Sequence, residues 1–241
     1  MFESLLSAGG IVHQDTGDVI FLYDPDTNQD LSGNGAVSVL SGGAVRSDTQ
    51  LVDGLPSLSL PTVAAKQLIT FPTPLNLRDT NWTLEWSSFC STVPSAYAND
   101  LILDSNGPTT GALYTRYGDS GFGNRFVVSD LRGSANPALT RPIAYTKAAL
   151  QNQLVHWALV QAEGNIFVYK DGIRQMLAGG ASSTTYNIQS TTAINIESVY
   201  QIRAGDANGS SVRASPGYKG RIRLSNYARY RSNYTPQPLT M

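Results

Sequence analysis

The stretch QLVHWALVQAEGNIFVYKDG, residues 153–172, predicts a β-hairpin. Its first arm alternates Val155, Trp157 and Leu159 with smaller or polar residues, and a second run, IFVY, follows a Glu-Gly-Asn turn. β-branched and aromatic residues on both sides of such a turn suit a half-buried pleated surface, and they carry no helical period. The hairpin therefore indicates an antiparallel sheet that continues beyond the Asp-Gly turn at its end.

Short runs of the same kind recur along the whole chain and predict about twelve strands. They are separated by Gly, Pro, Ser, Asn and Asp, which are the residues of turns. Charged residues are only 15% of the chain, which is unlike helices with charged faces. We therefore predict an all-β protein, a two-sheet antiparallel β-sandwich. The predicted strands lie near residues 18–24, 36–40, 58–60, 67–71, 81–90, 101–103, 112–117, 125–131, 155–160, 166–169, 193–197, 200–203 and 221–224.

An apolar layer must fill the space between the two sheets. The strand NWTLEWSSFC, residues 81–90, places two tryptophans and a leucine on one face and is predicted to be central. The residues predicted for the whole layer are Trp82, Leu84, Trp86, Phe126, Val128, Trp157, Leu159, Phe167, Tyr169, Ile194 and Ile222.

Charge and cysteine content exclude several classes of function. The formal net charge is −1, so no basic field exists to attract nucleic acid. Cys90 is the single cysteine, which excludes an internal disulfide. No apolar stretch suits a signal peptide or membrane insertion, so we expect synthesis in a cytoplasm. We divide the chain into an N-terminal arm, residues 1–17, and one domain, residues 18–241.

Three groups of residues resemble the concanavalin A-like, laminin-G-like jelly rolls, especially those of bacteriophage virion proteins. The first is a Trp-rich strand, the second is the central hairpin, and the third is a closing strand with an aromatic ending. These groups are WTLEW at 82–86, HWALV at 156–160 with VYKDG at 168–172, and IRLSN at 222–226 with ARY at 228–230 and YTP at 234–236.

The resemblance implies a concanavalin A-like jelly roll and a structural component of a phage particle. The protein would then reside in the virion, as capsid decoration or as tail or fibre protein, would contact other virion proteins and would form a homo-oligomer. Apolar residues of the arm and the aromatic, basic residues near the C-terminus are types found at protein interfaces. The predicted assembly contacts are Phe2, Leu5, Leu6, Tyr227, Arg229, Tyr230, Arg231 and Tyr234. The C-terminal residues could equally cover an edge of the sandwich.

A second hypothesis is a carbohydrate-binding module that attaches to a glycan of the host surface. Sugar sites combine aromatic faces with amide and carboxylate groups. Two predicted loops carry these types, and the candidate glycan contacts are Tyr97, Asn99, Asp100, Tyr117 and Asp119.

Catalysis is not predicted. A glycosidase, the third hypothesis, needs two carboxylates across a cleft, and the Glu-x-Asp-x-x-Glu spacing of related jelly-roll enzymes is absent from the sequence. His156 is interpreted as a strand residue that bonds within the sheet, and a dyad with Cys90 would require a close approach that the sequence does not indicate. We predict no cofactor. The alternative is a calcium site, either at Asp100, Asp104 and Asn106 or at Asp206 and Asn208. Both residue types are also common in turns for reasons of backbone conformation.

Overall fold

The protein is described by a computed structural model that covers residues 18–62, 64–77, 80–91, 98–105, 112–117, 125–131, 139–177, 199–205 and 216–241. Strands dominate these residues, and the one helix among them is a single turn. The elements are β1 Val19–Asp24, β2 Gln29–Asp30, β3 Val37–Ser41, β4 Val45–Val52, β5 Leu55–Leu60, β6 Lys66–Leu75, β7 Trp82–Cys90, β8 Ala98–Ser105, β9 Ala112–Tyr117, β10 Arg125–Leu131, β11 Leu139–Thr146, α1 Lys147–Leu150, β12 Leu154–Ala162, β13 Asn165–Lys170, β14 Ile173–Arg174, β15 Val199–Ala204 and β16 Gly217–Ser225.

The described strands form two antiparallel sheets, as the sequence predicts. The nine-stranded sheet has the order β14-β13-β12-β7-β16-β1-β2, with β5 also beside β16 and β4 beside β5. The seven-stranded sheet has the order β11-β10-β9-β8-β15-β6-β3. Neighbours in both sheets pair antiparallel throughout the described residues. The all-β, two-sheet sandwich is therefore confirmed.

The core lies between the two sheets and is centred on β7 and β12. Trp86 is opposite Trp157 and Leu84 is opposite Leu159 in the register of these strands. The two indole rings stack with centroids 6.4 Å apart, and all four side chains are buried. Burial of a side chain of this size contributes about 1.5 to 3 kcal/mol. The alternation in the two strands thus predicted the inner face correctly.

The second arm of the central hairpin corrects the prediction. Phe167 and Tyr169 were placed in the layer between the sheets, but Ile166 and Val168 occupy it. The reason is the turn, which consists of Glu163 and Gly164 alone, both with positive φ, and not of three residues. One residue fewer in the turn moves every side chain of the second arm to the other face. The side chains of Phe126, Val128 and Ile194 lie outside the described residues.

The chain after β16 crosses the outer face of the nine-stranded sheet. We call residues 226–241 the C-terminal strap. Tyr230 and Tyr234 of the strap stack on each other with ring centroids 3.5 Å apart, and Tyr234 packs on Tyr169 of the sheet. Together with Ala158, Val160, Ala162 and Ala228, these rings make a second apolar cluster outside the main core. The strap is thus a third layer that covers part of the sandwich.

Five elements were not predicted, and two of them, β2 and β14, are only two residues long. β4 carries alternating polar and charged residues and lies at an edge of its sheet, so its apolar content is low. β11 contains Pro142 and is also an edge strand, which is where proline is tolerated. The helical turn α1 is capped by Thr146, whose hydroxyl accepts from the Ala149 amide at 3.3 Å. No helix of the described residues is long and apolar enough to cross a membrane.

Candidate functional site

A buried carboxylate lies beneath the C-terminal strap. Glu85 of β7 is directly opposite Ala158 on one neighbouring strand and Arg223 on the other. Arg223 donates from Nε to Glu85 Oε2 at 2.9 Å, and Tyr230 donates its hydroxyl to Oε1 at 2.6 Å. His156 Nε2 is 3.6 Å from Oε1, which is an electrostatic contact beyond hydrogen-bond range. The sheet therefore supplies a donor to one oxygen of the Glu85 carboxylate, and the strap supplies a donor to the other.

The pKa of Glu85 lies below its ordinary value. Burial by itself would raise this pKa, but the contact with His156, the charge of Arg223 and the hydrogen bond from Tyr230 outweigh burial. Burial, and after it the charge of Glu85, raises the pKa of Tyr230, so the phenol stays protonated and donates a hydrogen bond to the carboxylate. Glu85 is therefore an ionised carboxylate within a network of cationic and phenolic side chains, and it has no access to solvent.

A second buried ion pair lies between the two sheets. Asp100 of β8 contacts Lys219 of β16, and the carboxylate also accepts a hydrogen bond from Trp86 Nε1 at 2.7 Å. Burial, and after it the charge of Asp100, raises the pKa of Tyr117 well above its ordinary value. Asp100 and Tyr117 are both completely buried.

This burial corrects two of the predicted glycan contacts. Asp100 and Tyr117 were expected in exposed loops, but both are strand residues that point into the sandwich. For Asp100 the reason is an irregularity in the pairing of β8 with β9 between Asn99 and Leu101, because an extra residue in a strand redirects the side chains around it. Neither side chain can contact a sugar at the surface. Tyr97 and Asp119 lie outside the described residues, as does the side chain of Asn99.

The predicted assembly contacts of the C-terminus are brought together in the strap. Tyr230 and Tyr234 pack on the chain's own sheet, and Arg229 lies over the ring of Tyr227 at 5.3 Å. Arg231, which contacts Glu163, is 40% exposed. The structure thus shows these residues covering the sandwich, and their use by another subunit stays a prediction. Phe2, Leu5 and Leu6, with the rest of the arm, lie outside the described residues.

The residues considered for catalysis and for calcium are kept apart. Cys90 packs in the core, whereas His156 is on the outer face of the same sheet with its ring edge against Tyr234, so these two residues cannot form a dyad. Asp100 pairs with Lys219, while Asp104 pairs with Arg203 Nη2 at 2.6 Å. Within the described part of the chain, no three acidic, histidine or cysteine side chains gather as a metal site would require. Asn106 and residues 206–208 fall outside that part.

A surface cleft lies where β6 extends beyond β3. β3 pairs only with residues 66–70 of β6, and Pro72 and Pro74 follow in the part that it leaves uncovered. Proline has no amide hydrogen, which suits an open strand edge. The cleft has a volume of about 250 Å³. It is lined by Ile20, Asn34, Phe71, Pro72, Thr73 and Leu75.

The cleft has an apolar floor and a polar rim. Phe71 belongs to the core, and its ring meets Phe21 edge-on at 5.3 Å. Ile20 and Leu75 are half-buried beside it, whereas Thr73 is exposed. Asn34 donates its side-chain amide to the Ile20 carbonyl at 3.0 Å, which holds the amide group at the margin of the cleft. No sequence signal identified this site, because its residues come from three separate segments.

Comparisons with known proteins agree on the architecture. Domain 4 of AbnA, a GH43 extracellular arabinanase from Geobacillus stearothermophilus solved with arabinotriose, superimposes with a TM-score of 0.61 at 13% identity, over 89% of this chain and 95% of that one. The receptor binding domain of botulinum neurotoxin D gives 0.60 at 9% identity, over 87% of this chain and 49% of that one. Trypanosoma rangeli sialidase, solved with the inhibitor DANA, superimposes with a TM-score of 0.56 at 14% identity, over 87% of this chain and 31% of that one.

The fold is a jelly-roll-like β-sandwich. Identities this low establish the fold alone, and the chain spans about a third of the sialidase and about half of the toxin domain. No family model and no curated protein matches the sequence. The resemblance to jelly rolls is therefore supported at the level of fold, and its extension to virion proteins is unsupported by these comparisons.

Proposed function

We propose that this chain is a non-catalytic carbohydrate-binding module and that the cleft beside β6 is its sugar subsite. The observation that carries the proposal is the composition of the cleft. A pyranose or furanose ring presents an apolar face and a rim of hydroxyl groups, and the cleft presents an apolar floor with an amide and a hydroxyl group at its margin. A volume of about 250 Å³ suits one or two sugar rings.

The comparisons support the same class of function. The arabinanase domain is coextensive with this chain and was solved with arabinotriose, and the other two neighbours are named as a sialidase and as a receptor binding domain. The interior carboxylates support a role without catalysis. Glu85, Asp100 and Asp104 are each neutralised by a cationic partner, whereas most families of glycosidases need two carboxyl groups facing the substrate.

The test is a glycan array probed with the full chain, followed by calorimetric titration of the bound glycans, with arabinotriose as the first soluble probe. Thr73→Trp should fill the cleft and weaken binding about tenfold or more, equivalent to about 1.4 kcal/mol. Thr49→Trp is the matched control, because Thr49 is exposed on β4 and outside the cleft. Absence of glycan binding, or binding that Thr73→Trp leaves unchanged, would contradict the proposal.

The second candidate is a structural component of a phage particle that acts through protein contacts. The observation that favours it is an apolar sheet edge. β3 is the last described strand of the seven-stranded sheet, and its Val37 and Val39 are 60% and 54% exposed. An edge strand with exposed apolar side chains is a natural surface for pairing with another subunit. This candidate requires association through β3, which sedimentation measurements can detect.

A further inference from the structure

The ion pair of Asp100 and Lys219 places two charges in the interior between the two sheets, away from the proposed sugar subsite. Asp100 and Lys219 are 119 positions apart in sequence, and their side chains are 0% and 2% exposed. Lysine and aspartate are rarely buried to this extent, because removal of two charges from water costs more than their attraction usually returns. Replacement of the pair by a neutral group of the same shape would remove that cost.

Irregular pairing in both strands places the two side chains in the interior. β8 is irregular between Asn99 and Leu101, and β16 is irregular between Lys219 and Ile222, where two residues lie opposite Ser87 alone. Bulges of this kind redirect side chains and are frequent next to functional sites. The contact of Lys219 Nζ with Asp100 Oδ1 is therefore built into the backbone of both sheets.

The surroundings of the pair favour reaction between its members. Trp86 Nε1 donates to the second carboxylate oxygen, Oδ2, at 2.7 Å, which would stabilise negative charge on that oxygen as carbon is attacked. Tyr117 stays protonated, so the group adds no competing charge. A lysine in a desolvated site is a competent nucleophile once it has lost its proton, and the adjacent carboxylate is positioned to accept that proton.

We propose that Lys219 and Asp100 condense to an intramolecular isopeptide bond that links the two sheets. Proton transfer from Nζ to the carboxylate gives a neutral amine and a carboxylic acid. The Nζ lone pair then attacks Cγ of Asp100, and the N–C bond forms while a C–O bond breaks. The hydroxyl group leaves with a proton from Nζ as water, so the reaction needs no oxidant or further reactant. Two buried charges become one neutral amide.

The bond would take the place of a disulfide, which this chain cannot form with its single cysteine. It would join β8 of the seven-stranded sheet to β16 of the nine-stranded sheet and close a large loop of the chain. Covalent closure of a loop stabilises a protein mainly by restricting the unfolded chain. A crosslinked sandwich should therefore unfold at a higher temperature than one held by the ion pair.

Mass spectrometry of the purified, full-length protein tests the proposal directly. The intact mass should be lower than the sequence mass by one water molecule. A tryptic digest should contain a branched peptide that joins residues 79–116 to residues 214–221, because trypsin does not cleave after an acylated lysine. A full sequence mass with linear peptides cleaved after Lys219 would overturn the proposal and leave an ion pair only.

Variants separate the crosslink from other losses of water. The Asp-Gly sequences at 53–54 and 171–172 can lose water by forming succinimides, but these would survive in Lys219→Met, whereas the crosslink would not. Lys170→Met is the matched control, because Lys170 contacts Asp171 at a partly exposed site and should leave the branched peptide intact. Trp86→Phe should lower the crosslinked fraction. Water loss that persists in Lys219→Met, without a branched peptide in the wild type, would refute the bond.

Discussion

Position 85 shows how one side chain connects the sheet to the strap. Glu85 receives Arg223 from the adjacent strand and Tyr230 from the C-terminal strap, 138 and 145 positions away in sequence. Arg223 in turn donates to the Thr240 carbonyl at 2.8 Å, which holds the end of the strap. The Glu85 carboxylate therefore holds the strap at two places, directly at Tyr230 and through Arg223 at Thr240.

We expect Glu85→Gln to lower the free energy of unfolding by about 3 kcal/mol or more at neutral pH, because it leaves a buried guanidinium without its counter-charge. The control is Glu163→Gln, which removes an exposed contact with Arg231 and should cost under about 1 kcal/mol. Urea unfolding curves measure both values. Equal losses in the two variants would show that the Glu85 cluster contributes no more than a surface pair.

The same carboxylate should make stability depend on pH. Its folded pKa lies below its unfolded pKa, which is about 4.3. Its contribution is therefore complete above the unfolded pKa and is lost as the pH falls from there through the folded pKa. The wild type should lose more stability over this acidic range than Glu85→Gln, and parallel pH profiles would contradict this.

β13 is bounded by two tight turns, one to β12 and one to β14. The turns before and after β13 look alike in sequence, Glu163-Gly164 and Asp171-Gly172. In both turns the glycine has a positive φ, 73° at Gly164 and 74° at Gly172. Their surroundings differ. Gly164 has open space around it, whereas a side chain at Gly172 would overlap the carbonyl oxygen of Tyr234 in the strap. The Tyr234 amide also donates to the Gly172 carbonyl at 2.9 Å.

This difference predicts unequal effects of the same substitution. Gly164→Ala should destabilise by about 1 to 2 kcal/mol, the cost of a left-handed backbone for an alanine. Gly172→Ala should cost more, since the strap must also move away from the sheet. Urea unfolding gives the two free energies, and hydrogen exchange of the Tyr234 amide reports on the strap. Equal costs would mean that the strap is not held at Gly172.

The sandwich has both covered and uncovered surfaces. The strap covers part of the outer face of the nine-stranded sheet, while β3 and β4 end their sheets with Val37, Val39 and Val45 more than half exposed. The net charge of −1 gives little repulsion between copies. The edge at β3 therefore offers a partner more exposed apolar surface than the strap, whose tyrosines pack on the chain's own sheet.

If β3 is an assembly edge, the wild type should sediment as an oligomer whose mass increases with concentration. The double substitution Val37→Lys and Val39→Lys should give a monomer, because lysines on an edge strand oppose pairing. Val45→Lys on β4 provides the control for added charge and should leave association unchanged. A wild type that is monomeric at all concentrations would contradict the assembly role of β3.

The amino-acid sequence by itself determined the fold class, the central hairpin and the face of β7 and β12 that carries the tryptophans, because alternation within a strand is a local property. The orientation of individual side chains and the partners of the buried charges depend on long-range contacts. A turn one residue shorter than expected moved Tyr169 outwards, and irregular strand pairing turned Asp100 inwards. The partners of Glu85 and Lys219 come from distant strands, and the cleft beside β6 comes from three segments. Local patterns cannot encode such contacts, since they depend on register between strands that are far apart in sequence.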